Sequence, residues 1–182
     1  MVAVSSIPAD AFQAQPSRAP LTKLSRRYDF QTAEPIEYND FLPNPNPSLT
    51  ALDVVSACMT TMLEHQDEGL EVCFNFSTDN CRAALGGSLE EFKNYAENPV
   101  FGYLIKCADW EIVSIGPEIP GTATRGAMQT ILINAKQAHT TKGDDGSRRF
   151  VWTLQKERRP PRQNCWVVHE VVYVNNAWAL TI

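Results

Sequence analysis

The scarcities of this sequence narrow its chemistry first. Histidine occurs three times, scattered, and no two of the five cysteines (Cys58, Cys73, Cys81, Cys107, Cys165) stand in C-x-x-C spacing. A zinc site needs such clustered ligands, so neither a metal site nor a cofactor is expected. Apolar runs are short, none approaching the roughly 18 residues that span a bilayer, and no transmembrane segment is expected. Basic residues number 16 against 21 acidic ones, a net charge of −5. Displacing counterions from phosphate needs the opposite balance, so nucleic acid is not an expected partner. An odd cysteine count without a secretory signal reads as buried free thiols in a reducing compartment.

What is present suits one folded unit. The 182 residues favour a single domain, and 43% hydrophobic content is enough for one core. Residues 1–47 stand apart: Pro8, Pro16, Pro20, Pro35, Pro43, Pro45 and Pro47 punctuate them and no helical or alternating period persists. Their first part is basic (Arg18, Lys23, Arg26, Arg27) and their second acidic (Asp29, Glu34, Glu37, Asp40). A Ser-, Ala- and Arg-rich start is compositionally like a transit segment. An extended arm docking on a partner is the alternative, and an inert linker the plainest reading.

The folded part is expected over 48–182. Ser48 or Thr50 can cap a helix, with Asp53 near its positive end, and Leu52, Val55, Met59, Met62 and Leu63 form one apolar stripe. The spacing predicts that this helix fades near His65 and ends before Gly69, with a second stretch through Leu70, Val72, Cys73, Phe74 and Phe76. Ser77 and Thr78 interrupt it, and Asp79 opens a further turn that Gly86-Gly87 stops. Ser88 with Glu91 starts another helix, broken at Asn98-Pro99. From Trp110 the period becomes two, predicting strands over Trp110–Ile115, Ala127–Ala135, Phe150–Glu157 and Cys165–Val174. Short connections (a turn at Lys142–Gly146, another at Arg158–Pro161) predict an antiparallel meander.

Helices first and strands after make an α+β fold. The stretches GLEVCFNFSTDNCRAAL (69–85), SLEEFKNY (88–95), FVWTLQKE (150–157) and CWVVHEVVYV (165–174) resemble an uncharacterised subgroup of the cone-shaped superfamily of nuclear transport factor two and ketosteroid isomerase. The resemblance covers roughly Leu49–Ile182. It implies a cystatin-like cone: N-terminal helices on a curved, mainly antiparallel sheet of four to six strands, preceded by the extended arm. It also implies a pocket, and relatives that are isomerases, dehydratases, ligand carriers or dimerisation modules. Together with the arm it places the protein in the chloroplast, with the cytoplasm as the alternative.

Enzymatic relatives use a carboxylate or a His–carboxylate pair inside the apolar pocket. Adjacent strand residues point to opposite faces, so at most one of His169 and Glu170 is expected to enter it. Trp166, Val168, Glu170, Val172 and Val174 would share one face, and Val167, His169, Val171 and Tyr173 the other. Both faces are apolar, and a hydrogen-bonded structural histidine is the plainer reading of His169. Glu157 precedes a turn, where an exposed acid is unremarkable. Arg82 and Arg125 could each bind an anion or pair with Asp79, Glu90 or Glu91.

The basic residues Arg148, Arg149, Lys156, Arg158, Arg159 and Arg162 are expected to gather at strand ends and their connecting loop. They form either a solvated turn or, with Trp152, a docking surface. The leading expectation is a non-catalytic pocketed module. It acts by protein association within a larger assembly, including self-association, or by binding a small apolar ligand. The alternative is a small isomerase, dehydratase or hydrolase with Glu157 or His169 as base.

Overall fold

The computed structural model describes residues 42–138 and 146–174. The expected arm lies almost wholly outside them, as does the turn at 142–145.

Among the described residues five helices precede four strands. The first, α1 (Ala51–Glu64), starts where Thr50 and Asp53 cap each other. The Thr50 hydroxyl accepts from the Asp53 N–H at 3.2 Å, and the Asp53 carboxylate accepts from the Thr50 N–H at 2.8 Å. Its buried stripe is Val54, Val55, Cys58, Met59 and Met62. After His65 the chain re-enters a helix at once: α2 spans Gln66–Phe76. Gly69 therefore lies inside a helix and does not end one. A Cβ there would sit 2.3 Å from the Met62 Cα, so the glycine lets α1 and α2 cross backbone to backbone.

Thr78 caps α3 (Asp79–Ala84) by accepting from the Cys81 N–H. Gly86 and Gly87, both at positive φ, turn the chain into α4 (Leu89–Ala96), capped by Ser88. One short helix was not foreseen from the sequence. The Asn98 side chain accepts from the N–H groups of Val100 and Phe101 and opens α5 (Phe101–Ile105). The residues read as a breaker thus start a new turn.

The strands β1 (Asp109–Ile115), β2 (Met128–Lys136), β3 (Ser147–Lys156) and β4 (Trp166–Val174) form one open antiparallel meander in sequence order. The two central strands alternate cleanly. Ile131, Ile133 and Ala135 of β2, and Phe150, Trp152 and Leu154 of β3, are buried on the helix-facing side. Ile131 stands opposite Trp152, and Ile133 opposite Phe150. Together with the α1 and α2 stripes they form one core, where a fully buried side chain of this size contributes about 1.5–3 kcal/mol.

Both edge strands are bulged. In β1 the register shifts between Ile112 and Ser114. In β4 it shifts because Thr153 pairs with Glu170 while its neighbour Leu154 pairs with Val168, leaving His169 as an extra residue. The bulge switches the phase of β4. Trp166 and Val168 face the helices before it, Val171 and Tyr173 after it, since these last two stand opposite Trp152 and Phe150. The uninterrupted alternation expected for this strand is thereby corrected, and its two apolar faces are explained.

Candidate functional site

Between α3, α4, α5 and β4 lies a cavity of about 470 Å³. Met62, Leu70 and Cys73 close one end; Phe92, Tyr95 and Ala96 of α4 and Phe101, Leu104 and Ile105 of α5 form a wall. Trp152 and the run Val168–Val171 form the sheet side. The α5 wall joins a row of tilted ring contacts, Tyr95 to Phe101 at 5.8 Å, Phe101 to Phe150 at 6.5 Å and Phe150 to Tyr173 at 5.7 Å. The polar lining residues are few: Ser77 at the end of α2, Asn80 in α3, Tyr95 in α4, and His169 and Glu170 in β4.

His169 and Glu170, at the bulge, are both among the lining residues. Glu170 stands opposite Thr153, whose neighbours Trp152 and Leu154 are buried on the helix side, so its side chain shares the outer face with Thr153. The bulge is itself pinned from outside the sheet. The Thr78 N–H donates to the Val168 carbonyl at 2.8 Å, so the loop between α2 and α3 takes the place of a further strand at this point. Glu170 is exposed and His169 half-buried.

Behind α3 two arginines are buried. Arg162 Nη1 donates to the Ser77 carbonyl at 2.7 Å and to Asn75 at 3.3 Å, and its Nη2 reaches Asp79 at 2.6 Å. Arg82 donates to the carbonyls of Phe74 and Asn75 and lies 3.9 Å from Asp79. Both guanidiniums thus satisfy carbonyls at the end of α2, where a helix carries partial negative charge. Arg82 takes the ion pair foreseen for it, with Asp79; Arg125 is exposed.

The expected basic cluster is not brought together. Arg148 lies over the Tyr103 ring at 4.9 Å, and Arg149 is its neighbour at the start of β3. From there about 25 Å of strand leads to Lys156 at about 3.3 Å per residue. Lys156 sits over Trp166 and 3.9 Å from Glu118. Arg158 and Arg159 are exposed in the following loop, but Arg162 is only 6% exposed and Trp152 2%, so neither presents a docking surface. A long strand separates its two ends, and burial removes the rest. Glu157 stands outside the cavity lining, its carboxylate accepting from the Arg158 N–H at 2.9 Å.

Burial keeps four of the thiols protonated more firmly than an ordinary cysteine. All five are free. Burial, reinforced by a hydrogen bond with Cys73, pushes the Cys58 thiol well above the ordinary value. Burial also raises Cys81, Cys107 and Cys165. Among the described residues no three His, Cys, Asp or Glu side chains gather to hold a metal ion, and no helix is long and apolar enough to cross a membrane.

Sequence reasoning nominated His169 but missed Asn80 and the α5 wall. The one signal available was that both alternating faces of 166–174 read as apolar, as a change of phase produces. No protein-family model matches the chain, and neither a curated protein nor a solved structure matches it.

Proposed function

We propose that the chain is a pocketed module of the cone-shaped superfamily type that binds a small apolar ligand between its helices and the end of its sheet. The observation carrying this reading is the cavity of about 470 Å³, within the range of about 300–1,000 Å³ usual for small-molecule sites. Its wall is mainly aromatic and aliphatic, with few polar residues, the usual composition of a site that holds an apolar molecule. The helix-first meander, with helices on one sheet face, is in keeping with the superfamily. The experiment is organic extraction of the full chain purified from its native source, followed by mass spectrometry of the extract. A stoichiometric apolar compound that is lost on Ala84→Trp, a substitution filling the rim, supports the reading. An extract identical for both proteins overturns it.

A second reading is favoured by the bulge. His169, in the cavity lining, would be the base that an isomerase or dehydratase requires, and Glu157 stands outside that lining. Turnover of an extracted ligand that is abolished by His169→Ala, with binding retained, would establish this activity; unchanged turnover would remove it.

A further inference from the structure

Where α1 and α2 touch, two thiols meet. A Cβ at Gly69 would lie 2.3 Å from the Met62 Cα, which leaves the two Cα atoms no more than about 3.8 Å apart. Cys58 stands four residues before Met62, and Cys73 four residues after Gly69. Only His65 separates the two helices, and one helical turn takes about 3.6 residues. The two cysteines therefore occupy the next layer of the same contact. Cys73 engages both α1 residues: its Sγ donates to the Met62 Sδ at 3.8 Å, and its thiol is hydrogen-bonded with that of Cys58. Cys58 is sealed in the core, whereas Cys73 lies in the cavity lining beside Met62.

A disulfide needs Cα atoms roughly 4.4–6.8 Å apart. Two helices in backbone contact one turn away, with thiols already touching, are suited to so short a span. Cys81 is the competing partner, since it also lines the cavity. Its thiol is hydrogen-bonded with the Ser77 side chain, and it stands on α3, beyond the break at Ser77 and Thr78.

We infer that Cys58 and Cys73 form a modification site, a dithiol that a small organic disulfide entering the cavity oxidises to a cross-link between α1 and α2. The Cys73 sulfur attacks one sulfur of the reagent, whose S–S bond breaks, and the first thiol leaves with the Cys73 proton. The Cys58 sulfur then attacks the Cys73 sulfur of this mixed disulfide, and the second thiol leaves with the Cys58 proton. The protein gives up two electrons and two protons, and the reagent becomes two thiols. The helix contact carries this inference, which holds whatever natural ligand the cavity takes.

The test exposes the folded full chain to 2-hydroxyethyl disulfide in mildly alkaline buffer. Non-reducing mass spectrometry then follows the whole chain and its proteolytic fragments. The expected product is a chain lighter by two hydrogens, with the fragments carrying Cys58 and Cys73 joined. The link joins residues 15 apart, so the urea midpoint should rise by on the order of 1 M and fall back on reduction. Cys58→Ala should stop the reaction at a mixed disulfide on Cys73, and Cys81→Ala should leave the link unchanged.

An adduct on Cys73 that never resolves in the unsubstituted chain would overturn the inference. So would a link from Cys73 to Cys81 in its place, or the absence of any reaction until urea unfolds the chain.

Discussion

Arg162 Nη2 lies 2.6 Å from Asp79 Oδ1, joining residues 83 apart in sequence. The same guanidinium holds the Ser77 carbonyl at 2.7 Å, so the loop after β3 is fastened to the segment from which α3 begins. That segment also carries Thr78, whose N–H holds the bulge of β4, and Asn80, which lines the cavity. One buried side chain therefore couples the connection between β3 and β4 to the rim of the candidate site.

Removing it should be costly. Arg162→Ala strands the Ser77 carbonyl among buried residues, while the Asn75 carbonyl keeps Arg82, and it removes the ion pair with Asp79, for an expected loss of about 2–4 kcal/mol. Asp79 is half-exposed, so water recovers much of its half of the pair and Asp79→Asn should cost under about 1 kcal/mol. Arg162→Lys should fall between, because an ammonium cannot span both carbonyls and the carboxylate. Thermal unfolding checks the order, with Arg162→Ala lowering Tm by on the order of 10 °C. A drop of under about 2 °C would show that these bonds carry little net energy.

Two glycines that look alike in sequence should respond oppositely to alanine. At Gly69 a new Cβ would lie 2.3 Å from the Met62 Cα and 2.4 Å from its nitrogen, with only backbone to push. Gly69→Ala must part α1 from α2, at an expected cost of about 1–3 kcal/mol or more. At Gly102 the nearest atom is the Glu97 carbonyl oxygen at 3.5 Å, an ordinary contact, so Gly102→Ala should gain about 0.5–1 kcal/mol in α5. Urea midpoints of the two variants, moving in opposite directions, are the expected outcome.

The contrast shows what the sequence could and could not disclose. Helix α1 was legible because its cap, Thr50 with Asp53, and its apolar stripe are local. Strands β2 and β3 were legible because they are central and alternate without interruption. The end of α1 before Gly69 was legible, but the role of Gly69 was not, because a glycine that permits close helix contact leaves no local pattern. The candidate site was least legible. It depends on the bulge at His169, which is held by a hydrogen bond from Thr78 to Val168, 90 residues along the chain. Periodicity, a property of neighbours, carries no trace of that partner; it leaves only the ambiguous faces of β4.

Cysteine burial predicts a loss of stability in alkali. Cys58 is fully buried, and its thiol is raised well above the ordinary value of 9.0 mainly by burial. The unfolded chain therefore gives up this proton at a lower pH than the folded chain. The sign follows: stability is complete below about pH 9 and falls as pH rises from there toward the folded value. Urea midpoints at pH 7, 9 and 10 should decline, and Cys58→Ala, less stable at pH 7 through its small cavity, should decline less steeply. Parallel slopes for the two proteins would assign the alkaline loss to other groups.

The bulge itself makes the most discriminating prediction, because one-residue deletions should differ according to where the register has slack. His169 is the unmatched residue between Val168, opposite Leu154, and Glu170, opposite Thr153. Deleting it leaves every other pair of β3 and β4 in place and keeps Val168, Val171 and Tyr173 on the helix side. The cost should be limited to half-buried contacts and stay within about 1–2 kcal/mol. Deleting Leu132, in the unbulged β2, offers no such slack. Either Ile131 or Ile133, both fully buried, must turn to the outer face, since a one-residue slip reverses every side chain beyond it. Each fully buried isoleucine so exposed forfeits about 1.5–3 kcal/mol, before the lost pairing with both neighbouring strands is counted. A His169 deletion that melts cooperatively near the parent Tm, beside a Leu132 deletion that does not fold, is the expected pair of outcomes. Equal damage from both would mean that the extra residue is required for the fold, and that the alternation of β4 is not restored by its loss.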